Sequence, residues 1–165
     1  MTATPSAVAT LATLGQQHAF VHYTTRDGLS QSQVRCMVQD ERGYLWFVTL
    51  GGLSRFDGAV FTNYALQEGL PDAQVNALWS DGDGLWVGAG DHLVQFSGRD
   101  LTGVDLPSDV NARVMAVVGA GKNERFIATD GAGVFRAIRG QVAPLPGYPQ
   151  DSAASARALL CQDDG

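Results

Sequence analysis

Few residues of this sequence have types and spacings that could support chemistry. The run DGDG, residues 81–84, brings two carboxylates together and could ligate calcium. An EF-hand type of loop needs further oxygen ligands and a closing glutamate, which the run lacks, so we interpret it as a turn. His18 and His22 have the spacing of two metal ligands on a helix, but AFVHYTT, residues 19–25, has a strand pattern. In a strand the two histidines would lie about 13 Å apart, which disfavours shared ligation.

Signatures of catalysis are absent or incomplete. No Gly-x-Ser-x-Gly elbow occurs, so serine hydrolase chemistry lacks its nucleophile. GAGKNE, residues 119–124, resembles a phosphate loop, but Asn123 stands where Ser or Thr is required, and we predict a long hairpin loop. His92 is predicted at a surface turn. Four aspartates also fall at predicted turns, where pairing for acid–base work stays open: Asp27, Asp57, Asp72 and Asp91.

Composition excludes some classes of partner. The hydrophobic content of 45% is sufficient for a packed core. The formal charge is −6, with 11 Lys and Arg residues, which argues against a nucleic-acid or membrane surface because both need clustered positive charge. No run approaches the length of apolar sequence that a transmembrane helix needs, so no membrane span is expected. We predict neither a metal site nor a cofactor.

The chain repeats itself with a period of about 40 residues, which is typical of solenoids and propellers. DERGYLW, residues 40–46, and DGDGLW, residues 81–86, both place an acidic turn before Leu-Trp. Flanking Gly, Leu, Gln, Val and Phe residues recur in the same phase. A third, diverged copy has Phe126 in place of the tryptophan, and ARALLCQDDG, residues 156–165, resembles the start of a fourth copy.

Each copy is predicted to form four short antiparallel strands. In the first copy these are VRCMVQ (34–39), YLWFVT (44–49), LSRFD (53–57) and AVFTNY (59–64), bounded by turn signals. A repeating unit of four strands is typical of a β-propeller blade. The predicted fold class is therefore all-β: an incomplete β-propeller of about three and a half four-stranded antiparallel blades. Leucine-rich or helical repeats are disfavoured, because no copy has a helical period and 20 glycines would weaken helices.

Turns and aromatic residues complete the predicted blade. Asp40–Gly43 and Gly51-Gly52 form its inner turns. The outermost turns are predicted as two-residue hairpins at Asp57-Gly58, Ser97-Gly98 and Arg139-Gly140. Trp46, Trp86 and Phe126 are predicted to fill the space between neighbouring blades, with a functional aromatic platform as the alternative. Cys36 and Cys161 fall at different phases of the repeat, so we expect two buried free thiols rather than a disulfide.

GLSQSQVRCMVQDERGYLWFVTLGGLSRFDG, residues 28–58, resembles the two-component regulator propeller repeat. That repeat has a Gly-Leu-Ser start, Asp-x-x-Gly-x-Leu-Trp, and then Gly-Leu-x-Arg-Phe/Tyr-Asp. The second copy, residues 69–98, also fits, whereas residues 127–136 fit only its later half. The resemblance implies the N-terminal part of a periplasmic sensor propeller from a protein of the hybrid histidine kinase or diguanylate cyclase type. No residue here matches those output domains.

The expected organisation is a leader followed by blades. Residues 1–19 are predicted to be a leader, in which Ala7-Val8-Ala9 is like a cleavage site for a secretion signal. A partial propeller covers residues 20–165, with repeats at about 28–68, 69–109 and 110–150 and the start of a fourth at 151–165. We expect a truncated sequence or fragment. We expect it to be periplasmic if an upstream signal is missing, and cytoplasmic otherwise.

The first strand of each blade is predicted to line the central channel. Its variable second position carries Arg35, Asn76, Met115 and Arg157. We predict that Arg35, Asn76 and Arg157 bind an anionic or hydroxyl-rich ligand, a small molecule or an oligosaccharide. The predicted function is a non-catalytic, ligand-sensing segment of a bacterial receptor. Its other expected partners are the remaining blades and output domain of the parent protein and, in a dimeric parent, a second copy. Nucleic acid is not expected as a partner.

Two alternatives to a sensor stay open at this point. One is a propeller enzyme acting on polysaccharide, which would require paired carboxylates projecting into the central cleft. The other is a protein-interaction scaffold, which makes no demand on any particular residue of the channel.

Overall fold

The computed structural model describes residues 21–160 except 83, 98–99, 109, 122 and 150–154. The predicted leader, His18 and Cys161 therefore lie outside the described residues. The described part is all-β apart from two single-turn 3₁₀ helices, Thr25–Asp27 and Leu66–Glu68. Within it, no helix is long and apolar enough to cross a membrane.

Within the described residues, twelve strands form three sheets of four, and each sheet is an antiparallel meander in chain order. The first sheet contains β1 (Val34–Gln39), β2 (Leu45–Thr49), β3 (Gly52–Phe56) and β4 (Phe61–Tyr64). The second contains β5 (Val75–Asp81), β6 (Gly84–Ala89), β7 (His92–Ser97) and β8 (Asp100–Val104). The third contains β9 (Arg113–Gly119), β10 (Glu124–Asp130), β11 (Val134–Ile138) and β12 (Gln141–Pro144). We call these sheets blades one, two and three.

The first strands of successive blades are neighbours. Strand β1 packs against β5, and β5 packs against β9, so these strands lie side by side at the inner ends of the blades. Radial sheets that meet at their first strands are the arrangement of a β-propeller. The fold class predicted from the sequence is confirmed for the described residues.

The core lies between blades rather than within them. Trp46 on β2 is 1% exposed and packs in one cluster with Leu85 and Val87 of blade two. Its ring centroid is 5.0 Å from that of Phe96, in an edge-to-face arrangement. Trp86 packs in the same way with residues of blade three, among them Ile127. Both tryptophans therefore fill the space between blades, as predicted.

Phe126 occupies the equivalent position on β10 but is only half-buried. It pairs with Val118 on β9 and Arg136 on β11, just as Trp46 pairs with residues of β1 and β3. The difference in burial has a simple reason, because no fourth sheet packs on this side of blade three among the described residues. The predicted position in the repeat is confirmed, and the complete burial is not.

The turn before the first tryptophan is closed by one side chain. The Asp40 carboxylate accepts hydrogen bonds from the backbone N–H groups of Arg42 and Tyr44, at 3.0 and 2.9 Å. Gly43 has a φ of 85°, which an L side chain adopts only with strain. The acidic, glycine-bearing turn that recurs in the sequence is thus a hairpin turn between the first and second strands of a blade.

The outermost hairpins differ from one blade to the next. In blade three, Ile138 pairs with Gln141, and both Arg139 and Gly140 have positive φ, which makes the predicted two-residue type I′ turn. In blade one the prediction of a two-residue turn was wrong. Phe56 pairs with Phe61, so the loop has four residues, 57–60. Gly98 of the second blade lies outside the described residues.

The segment that leads into blade one was predicted to be a strand, and over its described part this was wrong. Residues 21–24 pair with no strand of the described part of the chain, and Thr25–Asp27 form a 3₁₀ turn. The Asp27 carboxylate accepts from the backbone N–H of Thr24 at 2.7 Å, which closes this turn. Tyr23 packs its ring on Phe56, with 4.9 Å between centroids. The β-branched and aromatic residues here cover blade one instead of extending it.

Candidate functional site

A β-bulge interrupts the first strand of each blade at the same place. In blade one, Val34 and Cys36 of β1 pair with the adjacent residues Thr49 and Val48 of β2, so Arg35 is an extra residue. A bulged residue leaves the ladder unpaired and is re-aimed by the local twist. The side chain of Arg35 is therefore not bound to the regular alternation of side chains along β1.

The other two blades repeat the bulge. Asn76 is the extra residue of β5, between Val75 and Ala77. In β9, Val114 and Ala116 pair with the adjacent residues Thr129 and Ala128 of β10, so Met115 is the extra residue. Three variable residues thus occupy one structural position on three neighbouring inner strands. Sequence reasoning identified the position by its variability, but the bulges leave no pattern that it could have recognised.

These bulge positions differ in exposure and in chemistry. Arg35 is exposed, whereas Asn76 and Met115 are half-buried. The Asn76 side-chain amide donates to the carbonyl of Gln74 at 3.3 Å, which leaves its amide oxygen available. A cation, an amide and a thioether on adjacent inner strands can together contact an acceptor-rich ligand that also has an apolar part.

Arg157 lies at the opposite end of this row, beside blade three. The segment around it is held against β10, because the Ala156 N–H donates to the Thr129 carbonyl at 2.9 Å. The Ser155 hydroxyl donates to Asp130 at 2.7 Å, and Arg113 pairs with the same carboxylate at 3.0 Å. The Ser155 hydrogen bond and the positive charges of Arg157 and Arg113 hold the pKa of Asp130 below its usual value. Arg157 itself is exposed.

Two of the aspartates that stayed open as acid–base candidates, Asp27 and Asp57, act as turn caps. Asp57 accepts from the N–H groups of Val60 and Ala59, at 2.8 and 2.9 Å, and these bonds lower its pKa. The backbone bond to Thr24 lowers the pKa of Asp27 in the same way. A general acid needs the opposite shift, because it must still hold its proton near neutral pH. These two carboxylates are therefore poorly suited to donate protons.

The remaining candidates are spread over the surface. Asp72 accepts from the Gln74 N–H at 2.7 Å. His92 is exposed at the start of β7, beside the predicted turn, and its Nδ1 lies 2.7 Å from the exposed Asp91. No group of three or more potential metal ligands occurs in the described ranges. Cys36 is half-buried, and burial raises the pKa of its thiol.

Sequence reasoning missed the arginines that lie on the interblade tryptophans. Arg125 on β10 is 4% exposed, and its guanidinium carbon lies 5.0 Å from the centre of the Trp86 ring. It also pairs with Asp81 of blade two, at 2.7 Å. The two partners are far apart in sequence and belong to different repeats, so no local pattern could have predicted the contact.

Two clefts open between blades beside these tryptophans. The first, of about 350 Å³, lies between blades one and two and is bounded by the turns around Asp40 and Asp81 and by the side chains of Tyr44, Trp46 and Arg55. The second, of about 540 Å³, lies between blades two and three and is bounded by Trp86, Arg125 and the outer strands. We call them the first and second interblade clefts.

Comparison with known proteins agrees with this architecture. Residues 28–51 match the family model described as two component regulator propeller. The matched segment includes β1, its bulge and the Asp40 turn. Blade one therefore contains a segment that is similar to the two-component regulator propeller repeat. A stretch of 45 residues is also 49% identical to Histidine kinase P4 of Formosa agariphila, covering 27% of this chain and 3% of that protein.

Solved structures similar to this propeller include extracellular domains of putative hybrid two-component systems from B. thetaiotaomicron. One is 19% identical with a TM-score of 0.67, covering 81% of this chain and 19% of its own. Another is 22% identical with a TM-score of 0.60, covering 74% and 18%. A virginiamycin B lyase from Staphylococcus aureus is 15% identical with a TM-score of 0.57, covering 69% and 42%. The chain thus spans about a fifth of the two-component domains, and these likenesses establish the fold.

Proposed function

We propose that this chain is a ligand-sensing segment of a bacterial signal-transduction receptor and that the segment has no catalytic activity of its own. The observation that carries the proposal is the bulge at one position of three successive inner strands. It places Arg35, Asn76 and Met115 side by side, while the blades that carry them keep the same packing. We call these three residues the bulge row. Variable contacts on a constant scaffold are what selective binding of a ligand requires.

The ligand that suits this row is anionic or rich in hydroxyl groups. Arg35 offers a fork of N–H donors, and Asn76 offers both a donor and an acceptor. Arg157 adds a second exposed cation beside Asp130. An acidic oligosaccharide or a small anion meets these donors, and the thioether of Met115 can contact an apolar part of a ring.

The comparisons support a proposal for the location and signalling partners of this segment. The similar solved domains belong to extracellular parts of two-component systems. We therefore place this segment in the periplasm, with the further blades and the output domain of the parent protein as its partners. A propeller enzyme is the less favoured function. The carboxylates of Asp27 and Asp57 accept hydrogen bonds from backbone N–H groups, which makes them poor acid–base catalysts.

Binding to the 165-residue chain tests the proposal. The melting temperature would be followed against neutral and uronic-acid oligosaccharides, and positive ligands would be titrated by calorimetry. We expect one class to bind and the Arg35→Ala and Asn76→Ala variants each to weaken it about tenfold, a usual loss for one good polar contact. Arg26→Ala is the matched control, since Arg26 is exposed in the 3₁₀ turn outside the inner strands. Equal affinity in all three variants would exclude the bulge row as the site.

A further inference from the structure

Arg55 is half-buried, and one of its hydrogen-bond donors, Nε, has no partner in the described chain. It lies on β3 directly opposite Trp46, and its guanidinium carbon is 4.7 Å from the centre of the Tyr44 ring and 5.9 Å from that of Trp46. Its Nε is buried and has no hydrogen-bond partner. Buried polar atoms are nearly always hydrogen-bonded in folded proteins, so this donor needs an explanation.

The repeat itself shows what a satisfied arginine looks like at this position. Arg136 is the counterpart of Arg55 in blade three, and it forms an ion pair with Glu124 on the neighbouring strand. Tyr44 stands in blade one where Glu124 stands in blade three. Arg125, in the second interblade cleft, likewise has a carboxylate partner in Asp81. Blade one therefore keeps the cation and lacks its carboxylate.

The carboxylates of Asp40 and Asp81, which also line the first interblade cleft, already have hydrogen-bond or ion-pair partners. The Asp40 carboxylate accepts from two backbone N–H groups and, at 2.8 Å, from the indole Nε1 of Trp46. Asp81 is paired with Arg125. At the rim, the exposed residues Glu41 and Arg42 carry opposite charges. Within the described chain, Arg55 forms no ion pair, and the Asp57 carboxylate, whose pKa the charge of Arg55 helps to lower, is held by backbone N–H groups in the loop after β3.

We propose that the first interblade cleft binds a small organic acid, whose carboxylate accepts hydrogen bonds from Arg55. Arginine suits this role because its planar fork of donors matches the two oxygens of a carboxylate. The cation–π contacts with the Tyr44 and Trp46 rings hold the guanidinium at the wall of the cleft, where a ligand can meet it. The volume of about 350 Å³ accommodates a single sugar acid or an aromatic acid. This site is separate from the bulge row and does not depend on it.

Two acids and their neutral counterparts test the chemistry. Galacturonate with galactose represents sugar acids, and benzoate with benzamide represents aromatic acids. Each would be titrated into the 165-residue chain by calorimetry, to about 10 mM ligand. We expect at least one acid to saturate the protein and to bind about tenfold more tightly than its neutral counterpart, since a charge-assisted hydrogen bond is roughly twice as strong as a neutral one. The pair that responds identifies the source of the carboxylate.

Three variants locate the site. Arg55→Met keeps the packing on Tyr44 and should weaken acid binding at least tenfold. Arg136→Met removes the equivalent cation of blade three and should leave binding unchanged. Tyr44→Glu supplies the carboxylate that blade three already has, so it should occupy Arg55 and abolish binding without lowering the melting temperature. This third variant keeps the test decisive if Arg55→Met fails to fold.

Either of two results would overturn the proposal. One is the absence of binding by both acids at about 10 mM. The other is acid binding that persists unchanged in a folded Arg55→Met or Tyr44→Glu protein, because the carboxylate would then be bound elsewhere. Loss of binding in Arg35→Ala with retention in Arg55→Met would assign the acid to the bulge row instead.

Discussion

Trp46 donates its indole N–H to the carboxylate of Asp40 across 2.8 Å, which ties the largest side chain of the first interblade core to the turn that precedes it. In blade two the equivalent bond is missing. Asp81 accepts instead from Trp79 and Arg125, and Nε1 of Trp86 is buried without a partner. The two copies of the same turn therefore stabilise their tryptophans by different means, one within a blade and one between blades.

Removing the side chain of Trp46 should strongly destabilise the fold. The ring is 1% exposed and joins two blades, so Trp46→Ala should lower the free energy of unfolding by about 3–5 kcal/mol through the cavity it leaves. Urea titration of the 165-residue chain measures the change. Phe126→Ala is a control at the same position of the repeat, and it should cost less because Phe126 is only half-buried. Equal losses would show that burial between blades is not the source of the effect.

The protein should be strongly destabilised when one partner of the buried ion pair between blades two and three is removed. Asp81→Ala leaves Arg125 buried beneath Trp86 without this carboxylate, which should cost about 3–5 kcal/mol. The more exposed pair of Arg113 with Asp130 is the comparison, and Asp130→Ala should cost at most about 1 kcal/mol. Chemical denaturation of both variants gives the two values. A loss below about 1 kcal/mol for Asp81→Ala would mean that water reaches Arg125.

The type I′ hairpin at the end of blade three should depend on its glycine. Gly140 has a φ of 82°, and an added Cβ would meet no neighbouring atom, so Gly140→Ala should cost about 1–2 kcal/mol from backbone strain alone. Gly103→Ala is a matched control, because that site is equally open and has no positive φ. Thermal unfolding of the two variants separates the strain of a positive φ from the general effect of replacing glycine by alanine at an open site. If the two substitutions cost the same, strain at Gly140 is not the cause.

Acid should destabilise the fold through its turn caps. The backbone N–H groups of Val60 and Ala59 lower the pKa of Asp57 in the folded chain, below its value in the unfolded chain. Its stabilising contribution is therefore present above the unfolded pKa of about 3.9 and is lost as the pH falls through the folded pKa. Asp57→Asn should flatten this part of the profile, measured by urea unfolding at a series of pH values. An unchanged slope in that variant would assign the acid sensitivity to other carboxylates.

Much of the fold could be predicted, because the residues that form each strand and the turns that bound it lie within one repeat. Strand β1 has the predicted bounds, and β2 begins one residue later than predicted. The hairpin at Asp57 was predicted too short, since the side chain bonds the N–H groups of Ala59 and Val60 and so stabilises a four-residue loop. A dipeptide pattern does not show how far such a cap reaches.

The candidate site could be predicted only in part, because its geometry depends on contacts between repeats. The position of Arg35 and Asn76 could be found from variability, while the bulge that re-aims them depends on pairing with the second strand. The importance of Arg55 was not predicted either. Its unsatisfied Nε becomes evident only when β2 and β3 are aligned and the pair of Arg136 with Glu124 is seen beside it.

The bulge in each inner strand has a consequence for how such a propeller can change over generations. Its extra residue takes no part in the strand ladder, so replacing that residue leaves the sheet hydrogen bonds and the tryptophan between blades untouched. A duplicated blade would inherit the scaffold complete and be free to alter one side chain. New specificities could then arise by single substitutions at Arg35, Asn76 or Met115, with little risk of unfolding the protein that carries them.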